Sequence, residues 1–269
     1  MNGTRFILTG FLVVFTLAGQ AQTITTISEI NTCDEMGMPA FAGISTQDQY
    51  TIEGVALNDA DIFNGFNETT GELDASFILF VQDDTGGIQV YSGAWYDGGL
   101  AIYPVIQQGE RVRVTGLTGF FGGKTNINDR HNKDQTFTIE HLGETDMPAP
   151  FIIEDLEAAQ RFDPSRASGG EYYQGRLVKL ANVHITEGEW ANGGFITVAN
   201  EAGQTFPVEL RYATQIADHP QPQGAFDLIG VFNQEDTTGS PTGNYLLWPR
   251  SIDDFQSPQS AMDHWHVYR

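Results

Sequence analysis

Cysteine and long apolar stretches are both scarce in this sequence. Cys33 is the single cysteine, which excludes an intrachain disulfide. Beyond residues 1–21 no run reaches the length of about 18 apolar residues that a membrane-spanning helix needs. Stability must therefore come from burial of apolar side chains, and 269 residues are enough for two domains that each have a core.

Positive charge is also scarce, and its distribution is uneven. The net charge is −22, and between Gln22 and Glu110 there are 14 acidic residues and no lysine or arginine. Residues 111–269 contain 12 basic and 21 acidic residues. The first half should repel polyanions at long range. Three interpretations remain open: solubility in a salty medium, a cation site, and a basic partner.

Motifs of catalysis are missing as well. The six histidines form no H-E-x-x-H helix motif, no G-x-S-x-G elbow occurs, and Cys33 has no convincing histidine partner. Residues 116–125 (GLTGFFGGKT) end like a phosphate-binding loop, but Thr118 stands where that loop needs its first glycine. We therefore predict that the protein is not an enzyme.

Candidate metal ligands are few. Asp59 and Asp61 begin the alternating oxygen pattern of a calcium loop, but the glycine and the distal glutamate do not follow in register. Asp83 and Asp84 are better explained as turn residues, because aspartate bonds its own backbone. Calcium is the one cofactor that stays possible, with Asp59 and Asp61 as weak candidates.

The N-terminus has the pattern of a cleaved signal peptide. Arg5 precedes an apolar stretch at residues 6–17, and small residues flank a cleavage point between Ala21 and Gln22. Residues 1–21 are therefore predicted to direct a bacterial protein to the periplasm or the exterior. The alternatives are a first core strand and a membrane anchor.

A strand–turn–strand pattern occurs twice. Residues 77–93 (FILFVQDDTGGIQVYSG) alternate apolar side chains around a turn rich in Asp and Gly, and residues 194–210 (GFITVANEAGQTFPVEL) are a weaker copy. Other blocks recur in the same order around each copy, including ERVRVTG at residues 110–116 and FDLIGV at 226–231. Each copy supplies about five strands, which close most economically as a small barrel.

The repeat divides the chain. We predict a first domain at residues 22–145, a second at 146–256, and a C-terminal tail at 257–269. Pro148 and Pro150 mark the boundary, and residues 154–161 are predicted to form a short connecting helix.

Four segments carry a resemblance to a known family. They are FILFVQDDTGGIQVYSG, GERVRVTGLTGFFGGKTNI, YYQGRLVKLANVHIT and LLWPRSIDDF. This series resembles the OB-fold modules of secreted bacterial nucleases and related extracellular phosphoesterases. The resemblance implies an all-β fold of two tandem five-stranded OB-fold-like barrels. In that family a separate domain performs the catalysis, so it also implies an accessory role.

Candidate ligand-binding residues follow from how OB barrels bind, with a strand face, stacking aromatics and basic side chains. The candidates are Tyr91, Trp95, Tyr96, Arg111, Arg113, Phe120, Phe121, Lys124, Arg130 and Lys133. The alternative for Arg111 and Arg113 is that they point outward and offset nearby acids.

We expect a secreted, non-catalytic binding or accessory protein. Its partner would be an extracellular polymer or another secreted protein. The resemblance favours nucleic acid as the polymer, and the net charge opposes it and favours polysaccharide. The alternative is a calcium-binding structural or adhesion protein of the cell exterior. No membrane span is expected in the mature chain.

Overall fold

The computed structural model describes residues 23–40, 49–67, 69–74, 76–93, 96–97, 100–101, 103–129 and 136–258. The first half contains β1 (Gln49–Ala56), β2 (Phe66–Asn67), β3 (Glu72–Leu73), β4 (Phe77–Gln82), β5 (Gly87–Ser92), β6 (Tyr96–Asp97), β7 (Leu100–Ala101), β8 (Glu110–Phe121), β9 (Lys124–Asn128) and β10 (Thr138–Glu144). The second half contains β11 (Phe151–Ile153), β12 (Leu177–Gly188), β13 (Phe195–Ala199), β14 (Thr205–Glu209), β15 (Phe226–Gln234), β16 (Tyr245–Trp248) and β17 (Phe255–Gln256).

Five strands of the first half close into a barrel. The order is β1-β4-β5-β9-β8, and β8 returns to pair with β1. All neighbours are antiparallel except β5 and β9. Numbered along the barrel this order is 1-2-3-5-4, which is the Greek-key arrangement of the OB fold. Strand β10 pairs with β8 outside the closed ring.

The second half repeats that topology. The order is β12-β13-β14-β16-β15, β15 closes on β12, and the parallel pair is β14 with β16. Strands β11 and β17 extend this sheet at β12 and β15. The predicted all-β fold of OB type is therefore confirmed, and the same closed order appears in both halves.

Helices are short in the described part of the chain. There the α-helices are Ile27–Ile30 and Gly169–Tyr173, and 3-10 turns occupy Ala158–Gln160, Tyr212–Thr214, Ile216–Asp218 and Ile252–Asp254. The predicted connecting helix at residues 154–161 is limited to the first of these turns. The Asp155 carboxylate accepts hydrogen bonds from the backbone amides of Glu157 and Ala158. Side-chain bonds of this kind favour a turn over a continued helix. Among the described residues, no helix has the length and apolar character needed to cross a membrane.

The predicted domain limits stay predictions, although β10 ends before residue 145 and β11 begins after it. The predicted signal peptide lies outside the described residues, and so does the predicted tail beyond residue 258.

The turn of the first hairpin confirms the role given to Asp83. Its Oδ1 accepts hydrogen bonds from the backbone amides of Thr85 and Gly86 at 2.7 and 2.8 Å. Its Oδ2 accepts one from the amide of Ile27 at 2.9 Å, which ties the N-terminal helix to the turn.

Gly87 is required by the close approach of the second barrel and not by a left-handed backbone conformation. A Cβ on it would lie 2.0 Å from the carbonyl oxygen of Gly175 in the second barrel.

The two barrels pack against each other through an apolar cluster. The alternation of β4 sends Phe77, Leu79 and Val81 into the first core and leaves Ile78 and Phe80 facing outward. Residues of the second barrel cover this outer face, namely Leu177, Val231, Leu246 and Trp248. The interface is therefore built like a core and not like a flexible linker.

The closing motif of the second barrel is a polar link across this interface. Arg250 pairs with Asp254 through Nη2 and Oδ1 at 2.6 Å, and its Nε donates to Oδ2 at 3.0 Å. Its Nη1 donates to the carbonyl of Leu57 in the first barrel at 3.1 Å. Arg250 and Asp254 of the PRSIDD segment therefore have a structural role.

Candidate functional site

A cleft of about 460 Å³ lies where the two barrels meet. Its walls come from the loop between β1 and β4, from β4 and β5, from the β8–β9 hairpin, and from the second barrel. The lining residues are Asn64, Gly65, Asp74, Ser76, Ile78, Gln89, Tyr91, Phe120, Phe121, Lys124, Asn126, Asn128, Arg211, Glu235 and Trp248. In barrel order these are strands 2 and 3 and loops 1–2 and 4–5, the face with which OB folds bind polymers.

Three of the predicted aromatic residues lie in this cleft. Tyr91 on β5 and Phe120 on β8 are half-buried, whereas the side chain of Phe121 is 61% exposed. Trp248 from the second barrel packs on Phe63, with ring centroids 5.1 Å apart. The cleft therefore offers exposed ring surface above an apolar floor.

Lys124 also lines the cleft, but its charge is compensated. Gly122 and Gly123 have φ values of 63° and 84°, so β8 and β9 are joined by a two-residue type I′ turn. The Lys124 Nζ then donates to the carbonyl of Gln234 at 2.6 Å and to Glu235 Oε1 at 2.9 Å. Burial lowers the pKa of Lys124, and Glu235 opposes that shift. The GGKT segment is thus a hairpin tip held by the second barrel.

Arg211 is a cleft residue that sequence reasoning missed. Its Nε donates to the carbonyl of Phe63 at 2.9 Å, and its Nη1 donates to Glu209 Oε1 at 2.7 Å. The guanidinium carbon lies 4.7 Å from the centre of the Trp248 ring. No local signal marks this residue, because its role depends on a partner about 150 positions away in the chain.

Side-chain amides form the polar part of the cleft. Asn126 and Asn128 on β9 share a face because they are two positions apart on a strand, and Asn128 Nδ2 donates to Asn126 Oδ1 at 2.6 Å. Gln89 on the neighbouring β5 pairs in register with Asn126. The spacing of the two asparagines was a usable signal that sequence analysis overlooked.

The loop between β1 and β4 is held in place by the second barrel. The carbonyl of Asn64 accepts a hydrogen bond from the amide of Ala213 at 3.2 Å. Phe66 on β2 stacks on Tyr212, with ring centroids 4.7 Å apart and the planes at 22°. One wall of the cleft therefore belongs to the first barrel but depends on the second for its position.

Arg111 and Arg113 do not line the cleft. Arg111 Nη2 lies 2.9 Å from Glu53, and Arg113 contacts both Glu53 and Glu140. These pairs match the alternative in which both arginines face outward and offset acids. Backbone atoms of Tyr96 lie in β6, and the remaining candidates, Trp95, Arg130 and Lys133, fall outside the described residues. As ligand-binding residues all of these stay predictions.

Metal-binding and nucleophilic groups are sparse in the part of the chain that the structure describes. No group of three or more His, Cys, Asp or Glu side chains is placed there to hold an ion. Asp59 Oδ1 accepts a hydrogen bond from the amide of Gln108 at 2.8 Å, so one candidate carboxylate orders a loop. Burial, reinforced by Glu171, raises the pKa of the Cys33 thiol to about 11, which keeps it protonated at neutral pH.

Comparison with known proteins places this geometry in context. No protein-family model matches the sequence. The chain is 25% identical over 212 residues to Endonuclease YhcR of Bacillus subtilis (strain 168). That match covers 78% of this chain but 15% of the relative, so the chain spans a small part of that protein's length.

Two solved structures are similar at a low level. A replication protein A heterotrimer bound to ssDNA gives a TM-score of 0.35 at 11% identity, over 81% of this chain and 51% of that one. A murine DNA binding protein bound with ds DNA gives 0.33 at 10% identity, over 74% of this chain and 95% of that one. Scores this low carry no argument about function.

Proposed function

We propose that this protein is a secreted, non-catalytic binding module that holds a short stretch of single-stranded nucleic acid in the cleft between its barrels. The observation that carries the proposal is the position of the cleft. It coincides with the strand face and the two loops that OB folds use for polymers.

The chemistry of the lining supports this ligand. Bases stack on aromatic side chains, and Phe121 and Tyr91 offer ring surface at the cleft. Side-chain amides donate to and accept from base edges, which is how single-stranded nucleic acid is read. Half-buried Asn128 supplies such an amide, and the amides of Gln89 and Asn126, which are 6% and 1% exposed, also line the cleft.

The similarity to an endonuclease gives separate support. The relative is named for an activity on nucleic acid, and the matched region is 15% of its length. An accessory module that contacts the same kind of polymer is consistent with such a match.

The packing of the barrels limits the length of the ligand. Ile78 and Phe80 form the outer face of strand 2 and are buried against the second barrel. A free OB face holds about 4–16 nucleotides. Because Ile78 and Phe80 on this face are covered, we propose that the cleft holds fewer nucleotides than a free face, namely one or two.

Phosphate contacts contribute little in this proposal. Lys124, Arg111 and Arg113 are each paired with a carboxylate. Each phosphate neutralised adds about −0.7 to the slope of log K against log salt for single strands. We therefore expect a slope of log K against log salt no steeper than that of one phosphate contact, and stacking must supply most of the affinity.

Calorimetry with oligonucleotides of one, two, four and eight residues at low salt tests the proposal. Affinity should reach its limit at one or two residues. Phe121→Ala should cost about 1–3 kcal/mol of binding free energy, the value of one base stacked on a ring. Phe195→Ala is the matched control, because Phe195 is 59% exposed on β13 of the second barrel and lies outside the cleft lining.

Absence of binding at every length would refute the nucleic-acid proposal. Equal losses in the two phenylalanine variants would refute the location. Affinity that keeps rising to eight residues would refute the length limit alone.

A second candidate ligand is a neutral oligosaccharide. Asp74 and Glu235 place carboxylates in the lining, and these repel phosphate but accept hydrogen bonds from hydroxyl groups. OB folds bind oligosaccharides with the same face. Binding of a neutral oligosaccharide that is insensitive to salt and lost in Phe121→Ala would favour this candidate.

A further inference from the structure

Arg176 differs from the other buried cations of the described chain because no carboxylate lies within ion-pair distance of it. Its side chain is 6% exposed. The other buried or half-buried cations all have partners, in the pairs Arg113–Glu53, Lys124–Glu235, Arg166–Glu171, Lys179–Asp227, Arg211–Glu209 and Arg250–Asp254. In a protein with 35 acidic residues, this exception calls for a cause.

The contacts of Arg176 compensate its charge in part. The guanidinium lies 4.9 Å from the ring centre of Phe151 and 4.5 Å from that of Tyr172. Its Nη2 donates to the carbonyl of Thr85 at 2.6 Å, while its buried Nε has no partner. Aromatic faces attract a cation, but burial of a charge without a counter-charge remains costly. The arrangement fits a side chain whose counter-ion is a ligand.

Arg176 lines a second cleft, of about 210 Å³, at the seam of three segments. The N-terminal segment, the turn of the first hairpin and the start of the second barrel meet there. Ser28, Thr32, Ser165 and a second arginine, Arg166, also line it. The Thr32 hydroxyl donates to the carbonyl of Glu29 at 3.3 Å and that of Ser165 to Asp163 Oδ1 at 2.6 Å, so each must turn to donate to a ligand. Hydroxyl and guanidinium groups are the donors that oxyanions accept from.

The carboxylates in and around this cleft are already engaged, since Asp83 accepts from the backbone amides of Ile27, Thr85 and Gly86. Glu171 is the carboxylate that lines the cleft, and this group is already bonded to Arg166 at 2.6 Å and to the Tyr245 hydroxyl at 2.7 Å. Two guanidiniums and one carboxylate line the cleft, and Asp83 lies near enough to Arg176 to raise its pKa, although not within ion-pair distance. Burial lowers the pKa of Arg176, whereas Tyr172 and Asp83 oppose that shift and repulsion from Arg166 adds to it. An anion in the cleft would relieve the effects of burial and of repulsion.

We propose that this second cleft binds a small oxyanion of the phosphate class, with Arg176 as its main partner. Asn31 also lines the cleft, and its buried Oδ1 has no partner, so it can accept a hydrogen bond. Hydrogen phosphate has oxygens that accept from guanidinium and an O–H that donates. Sulfate has no proton at neutral pH and should bind more weakly.

Titration of the full-length protein with inorganic phosphate, followed by calorimetry and by melting temperature, tests the proposal. Sodium chloride of equal ionic strength is the reference, and sulfate is the comparison. Phosphate should raise the melting temperature with saturation, because a ligand that binds the folded state stabilises it. Sulfate should give a smaller shift.

Arg176→Gln should weaken phosphate binding at least tenfold. Arg161→Gln is the matched control, because it removes the same charge from an exposed position in the same region and should change nothing. Thr32→Glu is a second variant at an exposed position of the cleft, where an added carboxylate should exclude the anion without loss of folding.

A nucleoside 5′-monophosphate distinguishes free phosphate from a phosphate carried by a larger molecule. Binding that is tighter than that of inorganic phosphate, and lost in Arg176→Gln, assigns the site to a phosphate terminus. Tighter binding of inorganic phosphate assigns it to the free ion. The proposal is overturned if the wild type shows no saturable effect beyond chloride, or if Arg176→Gln and Arg161→Gln behave alike.

Discussion

The two barrels share one strand order but differ in the loops that connect strands 1 and 2 and strands 4 and 5. In the first barrel residues 57–76 form a long loop between strands 1 and 2, and Gly122-Gly123 join strands 4 and 5. In the second barrel the lengths are reversed, with a short connection at residues 189–194 and a long one at 235–244. The barrel topology is thus a constant frame, and the loops decide where a cleft can form.

The two barrels also differ in whether the outer face of strand 2 is buried. In the first barrel Ile78 and Phe80 on that face are buried by the second barrel. In the second barrel Phe195, at the start of strand 2, stays exposed. The first barrel therefore bears the main cleft, and the second supports its wall and holds its hairpin tip.

Removal of the link at Arg250 should have the largest effect on this asymmetric pair. Arg250→Ala should lower the free energy of unfolding in urea by about 3–5 kcal/mol, because Asp254 is left buried without its partner. Arg111→Ala, at an exposed ion pair on the first barrel, should have little measurable effect. Equal effects of the two variants would contradict a structural role for the closing motif.

A methyl group at the contact between the barrels should have the next largest effect. Gly87→Ala places a Cβ against the backbone of Gly175, and overpacking of this kind costs about 1–3 kcal/mol. Gly239→Ala is the control, because a Cβ there meets no atom within 4 Å. If urea unfolding gives the same midpoint for both variants, the barrels are not held as closely as the structure indicates.

Loss of the Phe66–Tyr212 stack should have a smaller effect on stability and a larger one on the cleft. Phe66→Ala should cost about 0.5–1.5 kcal/mol, the value of an aromatic pair, and should weaken binding of a short oligonucleotide. Phe66→Tyr keeps the ring and should bind like the wild type. Unchanged binding in Phe66→Ala would show that the second barrel does not position the loop.

Substitution of Asp163 should have the smallest effect, a change in how stability falls at acid pH. Asp163, at the start of the second barrel, accepts hydrogen bonds from Ser165 and Ser168, and these bonds lower its pKa. The unfolded state then binds a proton more readily, so this group's stabilisation is complete above the unfolded pKa and is lost as pH falls. Asp163→Asn should reduce the change of the urea midpoint with pH between pH 5 and pH 3, a range of about one unit either side of an ordinary Asp pKa.

The corresponding residue before the first barrel provides the control. Glu29 accepts from Thr26 in a capping box, mainly through the side-chain hydroxyl, and its pKa is also lowered. Because Glu29 has fewer hydrogen bonds than Asp163, Glu29→Gln should flatten the profile less. A larger change in Glu29→Gln than in Asp163→Asn would contradict the prediction that Asp163 contributes more to the pH dependence of stability.

Local patterns made the two hairpins predictable. The alternation at residues 77–82 specifies a strand with two faces, and Asp83 specifies the turn that follows. The helix predicted at residues 154–161 was largely wrong, because side-chain bonds from Asp155 formed a turn there instead. Short segments with weak periodicity depend on such individual contacts.

The cleft was predictable only in part. Tyr91, Phe120, Phe121 and Lys124 were predicted as binding residues from their aromatic or basic side chains, and all four line the cleft from the first barrel. Arg211, Glu235 and Trp248 were missed because they belong to the other barrel and reach the site by packing. The charge of Lys124 illustrates the same limit, since its carboxylate partner is 111 positions away.

The sequence by itself determined that this protein is built of β-hairpins in two repeated sets, because alternation and turn chemistry act between neighbours in the chain. It also determined the acidic charge. The tertiary structure alone decided which face of the first barrel is covered, which cations are paired, and why Arg176 is not. Those outcomes depend on which side chains of one barrel meet those of the other, and no pattern within a single strand encodes that.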